Sequence, residues 1–198
     1  MVLLLHSGTI MKCNLIATSF TFRSCSSAAH RGRNYELHTI NVLRQLGFHL
    51  NHCGGAHDKG VDFRGYWHMS INKEKTRLNV VGDCKNLKVS CGPLHIRSLI
   101  GTLDREPRNT IGILVSRKGF TKDAHKTFKS SHLPMALISI NDADSSDGGR
   151  LLRYFDRNPK CHQLTPNITV ASKFYEGLRF FEILLHDQHG NVALLDSL

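Results

Sequence analysis

Asp83-Cys84-Lys85 closes the apolar run Leu78-Asn79-Val80-Val81-Gly82, and there the side-chain types and spacing point most directly to chemistry. On a strand alternate side chains share a face, so Asp83 and Lys85 point one way and Cys84 the other. A carboxylate and an ammonium then occupy one patch. A second acid, Asp62, opens the β-prone run after the glycine-rich stretch Gly54 to Gly60. Two acids and a lysine on neighbouring strands suggest a metal-assisted site for cleaving phosphodiesters. The competing reading is an ordinary surface ion pair, which needs no function.

The elements that must position these residues follow from pattern. Asn34 to Leu46 reads as a helix with Ile40 and Leu43 on its apolar stripe and Gly47 as its stop. Glu36 shares that stripe. It is either a first-turn glutamate favoured by the helix dipole or an acid reaching the site from the adjoining helix. Phe48 to Cys53, Val61 to Trp67 and Leu78 to Lys85 read as three strands of a meander, with residues 68 to 77 as an exposed hairpin loop. Pro93 starts a second helix that runs on toward Pro107. Ile111 to Ser116 and Met135 to Ile140 are buried strands, and Thr121 caps a basic helix between them. Asn141 to Gly149 is a solvated loop. Leu151 to Phe155 reads as a short helix, and Phe174 to Leu185 as an amphipathic or β-prone stretch. The order α-β-β-β-α-β-α-β predicts an α/β sandwich on a mixed sheet.

The 198 residues, 40% hydrophobic, suffice for one main core. The net charge of +10 favours polyanionic partners, nucleic acid before anionic membrane. Residues 1 to 35 contain no Asp or Glu but do hold Lys12, Arg23, Arg31 and Arg33 among many Ser and Thr. That composition is expected of a mitochondrial presequence, assigned to residues 1 to 31. With these four cations set aside the remainder is still basic. No run is long and apolar enough to span a bilayer, so no integral membrane segment is expected. The six cysteines form no C-x-x-C pair and no disulfide framework, and the spacing of Cys53, Cys84 and Cys91 does not match a closed zinc site.

Five short motifs stand in one order: Gly32-Arg33-x-Tyr35-Glu36, Leu46-Gly47-Phe48, Gly54-Gly55-x-x-Asp58-x-Gly60-Val61-Asp62, Asp83-Cys84-Lys85, and Gly119-Phe120-Thr121-x-x-Ala124. In this the chain resembles the Mrr-like restriction endonucleases of the PD-(D/E)xK superfamily, and most of all the fungal mitochondrial branch called required-for-respiratory-growth proteins. The resemblance covers about residues 32 to 140. It implies a three-layer, restriction-endonuclease-like α/β fold with an α-β-β-β-α-β core in residues 32 to 145, followed by a C-terminal extension in 146 to 198.

It also implies a metal-dependent endonuclease of the mitochondrial matrix, linked to organelle genome maintenance. Asp62 matches the first metal-binding acid, Asp83 the second, Lys85 the lysine and Glu36 the acid of the first helix. Many of these enzymes have Gln or Glu where this chain has Asp83. The implied cofactor is Mg²⁺ or Mn²⁺, held by Asp62, Asp83 and the Cys84 carbonyl oxygen, since such ions take hard oxygen donors and keep several waters. Lys85 would orient the attacking water, with a lowered pKa, or neutralise charge developing on the phosphate. Arg33, Lys88, Arg97 and Lys118, with Arg117, are candidates for phosphate contacts. DNA is expected before RNA. Cutting both strands of a duplex would call for a homodimer, although no stretch of the sequence marks an interface. The alternative is a non-catalytic nucleic-acid-binding factor on the same scaffold.

Overall fold

The structure, a computed structural model, describes residues 27–53, 60–71, 74–143, 152–175, 177–186 and 192–194. Most of the expected presequence, the glycine-rich turn with Asp58, and the loop beyond residue 143 lie outside the described residues.

Helix α1 (Ala28–Arg44) begins six residues before the expected start because the Ser27 hydroxyl accepts the His30 backbone N–H and caps it there. Its stripe of Tyr35, Thr39, Ile40, Val42 and Leu43 is buried. Gly47, at a positive φ of 78°, turns the chain into β1 (Phe48–His52), where Phe48 and Leu50 point inward.

The expected loop over 68 to 77 is mostly strand. β2 (Phe63–Ile71) runs through it and β3 (Glu74–Lys85) begins inside it, with pairing up to Ile71 opposite Glu74. Met69 shows why: it is 5% exposed and continues the buried alternation of Phe63 and Trp67. The charged residues of 74 to 77 concealed that period.

Strand β3 then changes partner mode, pairing antiparallel with β2 and parallel with β4 (Thr110–Ser116). Between them lies α2 (Pro93–Leu103). Helix α3 (Lys122–Lys129) follows β4, capped by Thr121 as expected, and leads to β5 (Met135–Ile140), parallel to β4. The α-β-β-β-α-β core and its central mixed sheet are therefore those anticipated.

Leu152 to Arg157 forms a strand, β6, where a short helix was expected. Its backbone pairs antiparallel with the open edge of β5 and buries Leu152 and Phe155, so sheet pairing overrides a locally helical composition. A short helix, α4 (Pro159–Leu164), precedes the hairpin β7 (Ile168–Tyr175) and β8 (Leu178–His186), and β9 (Val192–Leu194) pairs with β8. The sheet order is β1-β2-β3-β4-β5-β6-β8-β7, with β9 off that path.

Two apolar clusters make three layers. Tyr35, Ile40 and Leu43 of α1 pack with Val80, Cys84, Ile113 and Ile138 on one face of the sheet. On the other, Ile96 and Leu99 of α2 and Ala124 and Phe128 of α3 pack with Val81, Leu114 and Leu137. Alternation along β3 therefore places Asp83 and Lys85 on the α2/α3 side and Cys84 on the α1 side.

Candidate active site

Asp62 stands just before β2, beside the last turn of β3. Its backbone N–H donates to the Gly82 carbonyl at 2.9 Å, and its Oδ2 accepts the Cys84 backbone N–H at 2.6 Å. These two bonds hold the acid against β3, as an acid one residue ahead of Phe63 must be once Phe63 pairs with Gly82. Asp83 is 3% exposed. Lys85 reaches back along the same face, and its Nζ donates to Asp83 Oδ1. Asp62, Asp83 and Lys85 thus converge at the end of β3, as their spacing predicted.

The electrostatics of that convergence are uneven. Burial pushes the Asp83 carboxyl up to about 7, and the neighbouring Asp62 adds to the rise, while Lys85 opposes it. For Lys85, burial pulls the ammonium down, but the adjacent Asp83 outweighs it, so the net shift is upward. The lowered lysine pKa expected from sequence is therefore corrected. A lysine facing two carboxylates keeps its proton and acts as a cation.

Cys84 turns into the apolar core, where burial raises its thiol strongly, so its sulfur is an inert core group. Glu36 has a partner of its own. It lies well inside α1, away from the first turn, and its Oε2 is 2.8 Å from His52 Nε2 of β1. Its charge reaches the Cys84 thiol. The dipole reading of Glu36 thus fails because Ser27 starts the helix earlier. The pairing of His52 with Glu36 is not read from the sequence, although His52 alternates inward with Phe48 and Leu50 and could have been found that way. His95, in the first turn of α2, lies close enough to Lys85 for that charge, after burial, to lower its pKa.

Of the expected phosphate contacts, Lys88 and Lys118 are exposed on the two loops that follow β3 and β4. The Ser90 hydroxyl donates to the Lys118 carbonyl at 2.9 Å and ties these loops together. Arg117 is engaged by Asp142. It helps line a cavity of about 200 Å³ with Arg31, Asn34, His38 and Asn86, the residue after Lys85. Arg33 and Arg97 are exposed on α1 and α2.

Among the described residues no group of three His, Cys, Asp or Glu side chains converges as a metal cluster, and Cys53, Cys84, Cys91 and Cys161 are free thiols. Two carboxylates and a backbone carbonyl are still a donor set suited to Mg²⁺, which uses one or two carboxylates and retains water. Burial is the main cause of the rise at Asp83 and the nearby Asp62 adds to it, and a bound cation would offset both. No helix among the described residues is long and apolar enough to cross a membrane.

Comparison with known proteins gives four findings. A solved structure of MspJI restriction endonuclease in complex with a 27-mer oligonucleotide matches at 25% identity, over 56% of this chain and 26% of that one, with a TM-score of 0.44. The DNA modification-dependent restriction endonuclease AspBHI matches at 16% identity, over 52% and 27%, with a TM-score of 0.40. An uncharacterised mitochondrial protein of Schizosaccharomyces pombe is 38% identical over 118 residues, which is 59% of this chain and 47% of that protein. The chain thus spans about half the length of that curated relative. The family model described as Required for respiratory growth protein 7 matches residues 27–77 and 68–173, which take in the whole α-β-β-β-α-β core and Asp62, Asp83 and Lys85, and the chain belongs to that family.

Proposed function

We propose that the chain is a mitochondrial, metal-dependent nuclease that hydrolyses phosphodiester bonds, in DNA before RNA, in support of organelle genome maintenance and respiratory growth. The observation that carries this reading is the convergence of Asp62, buried Asp83 and Lys85 at one strand end. The family description and the mitochondrial relative support the cellular setting.

Asp62, Asp83 and the Cys84 carbonyl oxygen would hold Mg²⁺ or Mn²⁺, which when bound polarises the scissile phosphate and lowers the pKa of a coordinated water. The protein's own groups do the rest. The Cys84 N–H fixes the Asp62 carboxylate, so one oxygen is spent on orientation and the other is left to turn toward the acid pair. Lys85, protonated, neutralises charge that develops on the phosphate. Glu36 holds the His52 ring on the α1 side of the sheet, the side of the Cys84 thiol. Lys88 and Lys118 bring positive charge to the strand ends where a phosphate backbone would lie.

A binding factor on the same scaffold is the second reading. It is favoured by the way Lys85 closes on Asp83 and the Cys84 N–H closes on Asp62, which satisfies both acids without an ion. Cleavage of labelled duplex DNA, single-stranded DNA and RNA in Mg²⁺, Mn²⁺ or EDTA separates the two. Metal-dependent cleavage lost in folded Lys85→Ala and Asp83→Asn proteins is the expected result. Binding without cleavage, unchanged in both variants, would leave the binding factor.

A further inference from the structure

The loop after β4, helix α3 and the first residues of β6 build a second feature on the face that carries Asp83 and Lys85. Phe120, His125 and Tyr154 stand in mutual ring contact, with centroids 6.0 Å apart for Phe120 and His125, 5.5 Å for His125 and Tyr154, and 6.3 Å for Phe120 and Tyr154. All three are half-buried and line an open cleft of about 410 Å³, together with Arg117, Lys118 and Arg153. The Tyr154 hydroxyl donates to Asp156 Oδ2 at 3.0 Å, which fixes the tilt of that ring.

The cleft is in register with the site. Lys85 pairs with Ser116, Ser116 with Ser139, and Ser139 with Tyr154, so one cross-strand row runs from the lysine to the ring. At ~4.8 Å per strand the row is about 14 Å long. Directly opposed residues share a face, so Tyr154 and Lys85 lie on the same side of the sheet.

From this we propose that the Phe120–His125–Tyr154 cleft is a binding groove for unpaired nucleotides, selecting single-stranded segments of a polynucleotide whose backbone continues to the Asp83–Lys85 end of β3. On one side Phe120 and Tyr154 pack against the apolar cluster of α2 and α3. On the other the rings share an open cleft with Arg117, Lys118 and Arg153, the combination that binds single strands by stacking bases and tracking phosphates. A duplex keeps its bases stacked on each other and offers this groove only its backbone. The place of the groove as a substrate site rests on the nuclease reading; its affinity for single strands does not.

The test is fluorescence anisotropy with the full chain in EDTA, using labelled oligothymidylate, an RNA strand of the same length, and a duplex. Tighter binding of a single strand than of the duplex is expected, and the arm that binds identifies the sugar. Phe120→Leu, which keeps apolar volume without an aromatic face, should weaken strand binding roughly tenfold and leave duplex binding unchanged. His125→Ala, on a half-buried ring, should act in the same direction, and Lys118→Ala should lower the salt slope by about one. Duplex binding as tight as strand binding, equal weakening of both by Phe120→Leu and His125→Ala, or no binding to any probe would overturn the groove. Read beside cleavage of the same probes in Mg²⁺ or Mn²⁺, strand preference in EDTA without cleavage in metal would retain the groove and remove the nuclease; duplex cleavage in metal without strand preference would do the reverse.

Discussion

Asp83→Asn should stabilise the metal-free protein at pH 8 even as it removes activity. The aspartate is 3% exposed and its carboxyl is pushed up to about 7, first by burial and then by Asp62. An acid whose folded pKa exceeds its unfolded value of about 3.9 holds its proton more tightly when folded. Its contribution is therefore fully present at low pH and is lost as pH rises through about 7. Roughly three units at ~1.4 kcal/mol each set an upper limit of about 4 kcal/mol for that loss. Asparagine has the same shape and no charge, so it escapes the penalty but leaves the Lys85 ammonium without its ion pair. The Lys85 attraction already opposes that rise and is not subtracted again, while the desolvated amide takes back part of the gain. A net stabilisation of about 1–3 kcal/mol remains, raising Tm by about 2–9 °C for a chain of this size. Thermal unfolding by circular dichroism in EDTA at pH 8 and pH 5 measures it, and the difference should narrow at pH 5, where the folded carboxyl is protonated but the unfolded one is still ionised. Added Mg²⁺ should raise Tm of the wild type alone. An Asp83→Asn protein less stable than wild type at pH 8 in EDTA would refute the reasoning, because the Asp83–Lys85 pair would then be a net stabiliser.

Lys85→Ala should lower single-turnover cleavage by about 10²- to 10³-fold while nucleic-acid binding changes little, the signature of a charge needed at the transition state. Gly82→Ala should cost about 1–3 kcal/mol in urea unfolding, since the added Cβ would sit 2.0 Å from the fully buried Phe63 ring. Because the Gly82 carbonyl also accepts the Asp62 N–H, cleavage should fall in that variant by more than the folded fraction does. Asn158→Ala should cost about 2–4 kcal/mol. The fully buried Asn158 accepts the N–H groups of Met135 and Cys161 and donates to the Leu133 carbonyl at 2.7 Å, so truncation strands several polar groups.

The core elements were legible because their signals are local. Continuous apolar runs mark β4 and β5, a proline marks the start of α2, and the Asp-x-Lys spacing forces two side chains onto one face. The misreadings have a common cause. The Glu74–Arg77 end of β3 and Leu152–Arg157 of β6 look like loop and helix by composition, and both become strand because a neighbouring edge supplies backbone partners. Glu36 was placed on the correct helix, but its His52 partner comes from a different element and no spacing within α1 could announce it. The rise at Asp83 likewise comes first from burial under α2 and α3 and then from Asp62 just ahead of the neighbouring strand, neither of which the Asp-x-Lys spacing announces.

The same register that assembles the acid pair also decides which layer a substrate meets. Asp83 and Lys85 face α2 and α3 because Val80 and Cys84 must face α1 to complete the larger apolar cluster. A slip of β3 by one residue against β4 would bury the aspartate and lysine among Tyr35, Ile40 and Leu43, and would turn Val80 and Cys84 to the α2/α3 face. Core packing thus fixes the face of the chemistry. It fixes the aromatic groove by the same means, since Leu114 and Leu137 lie in the row between Asp83 and Asp156, and Ser116 and Ser139 in the row between Lys85 and Tyr154. The two serines are the small residues of those rows, Ser116 fully buried and Ser139 nearly so. The Ser116 hydroxyl accepts from the Cys91 thiol and donates to the Gly119 carbonyl, so the paired loops after β3 and β4 roof this row, and a strand running from the rings to the lysine would cross over those loops, beside exposed Lys88 and Lys118.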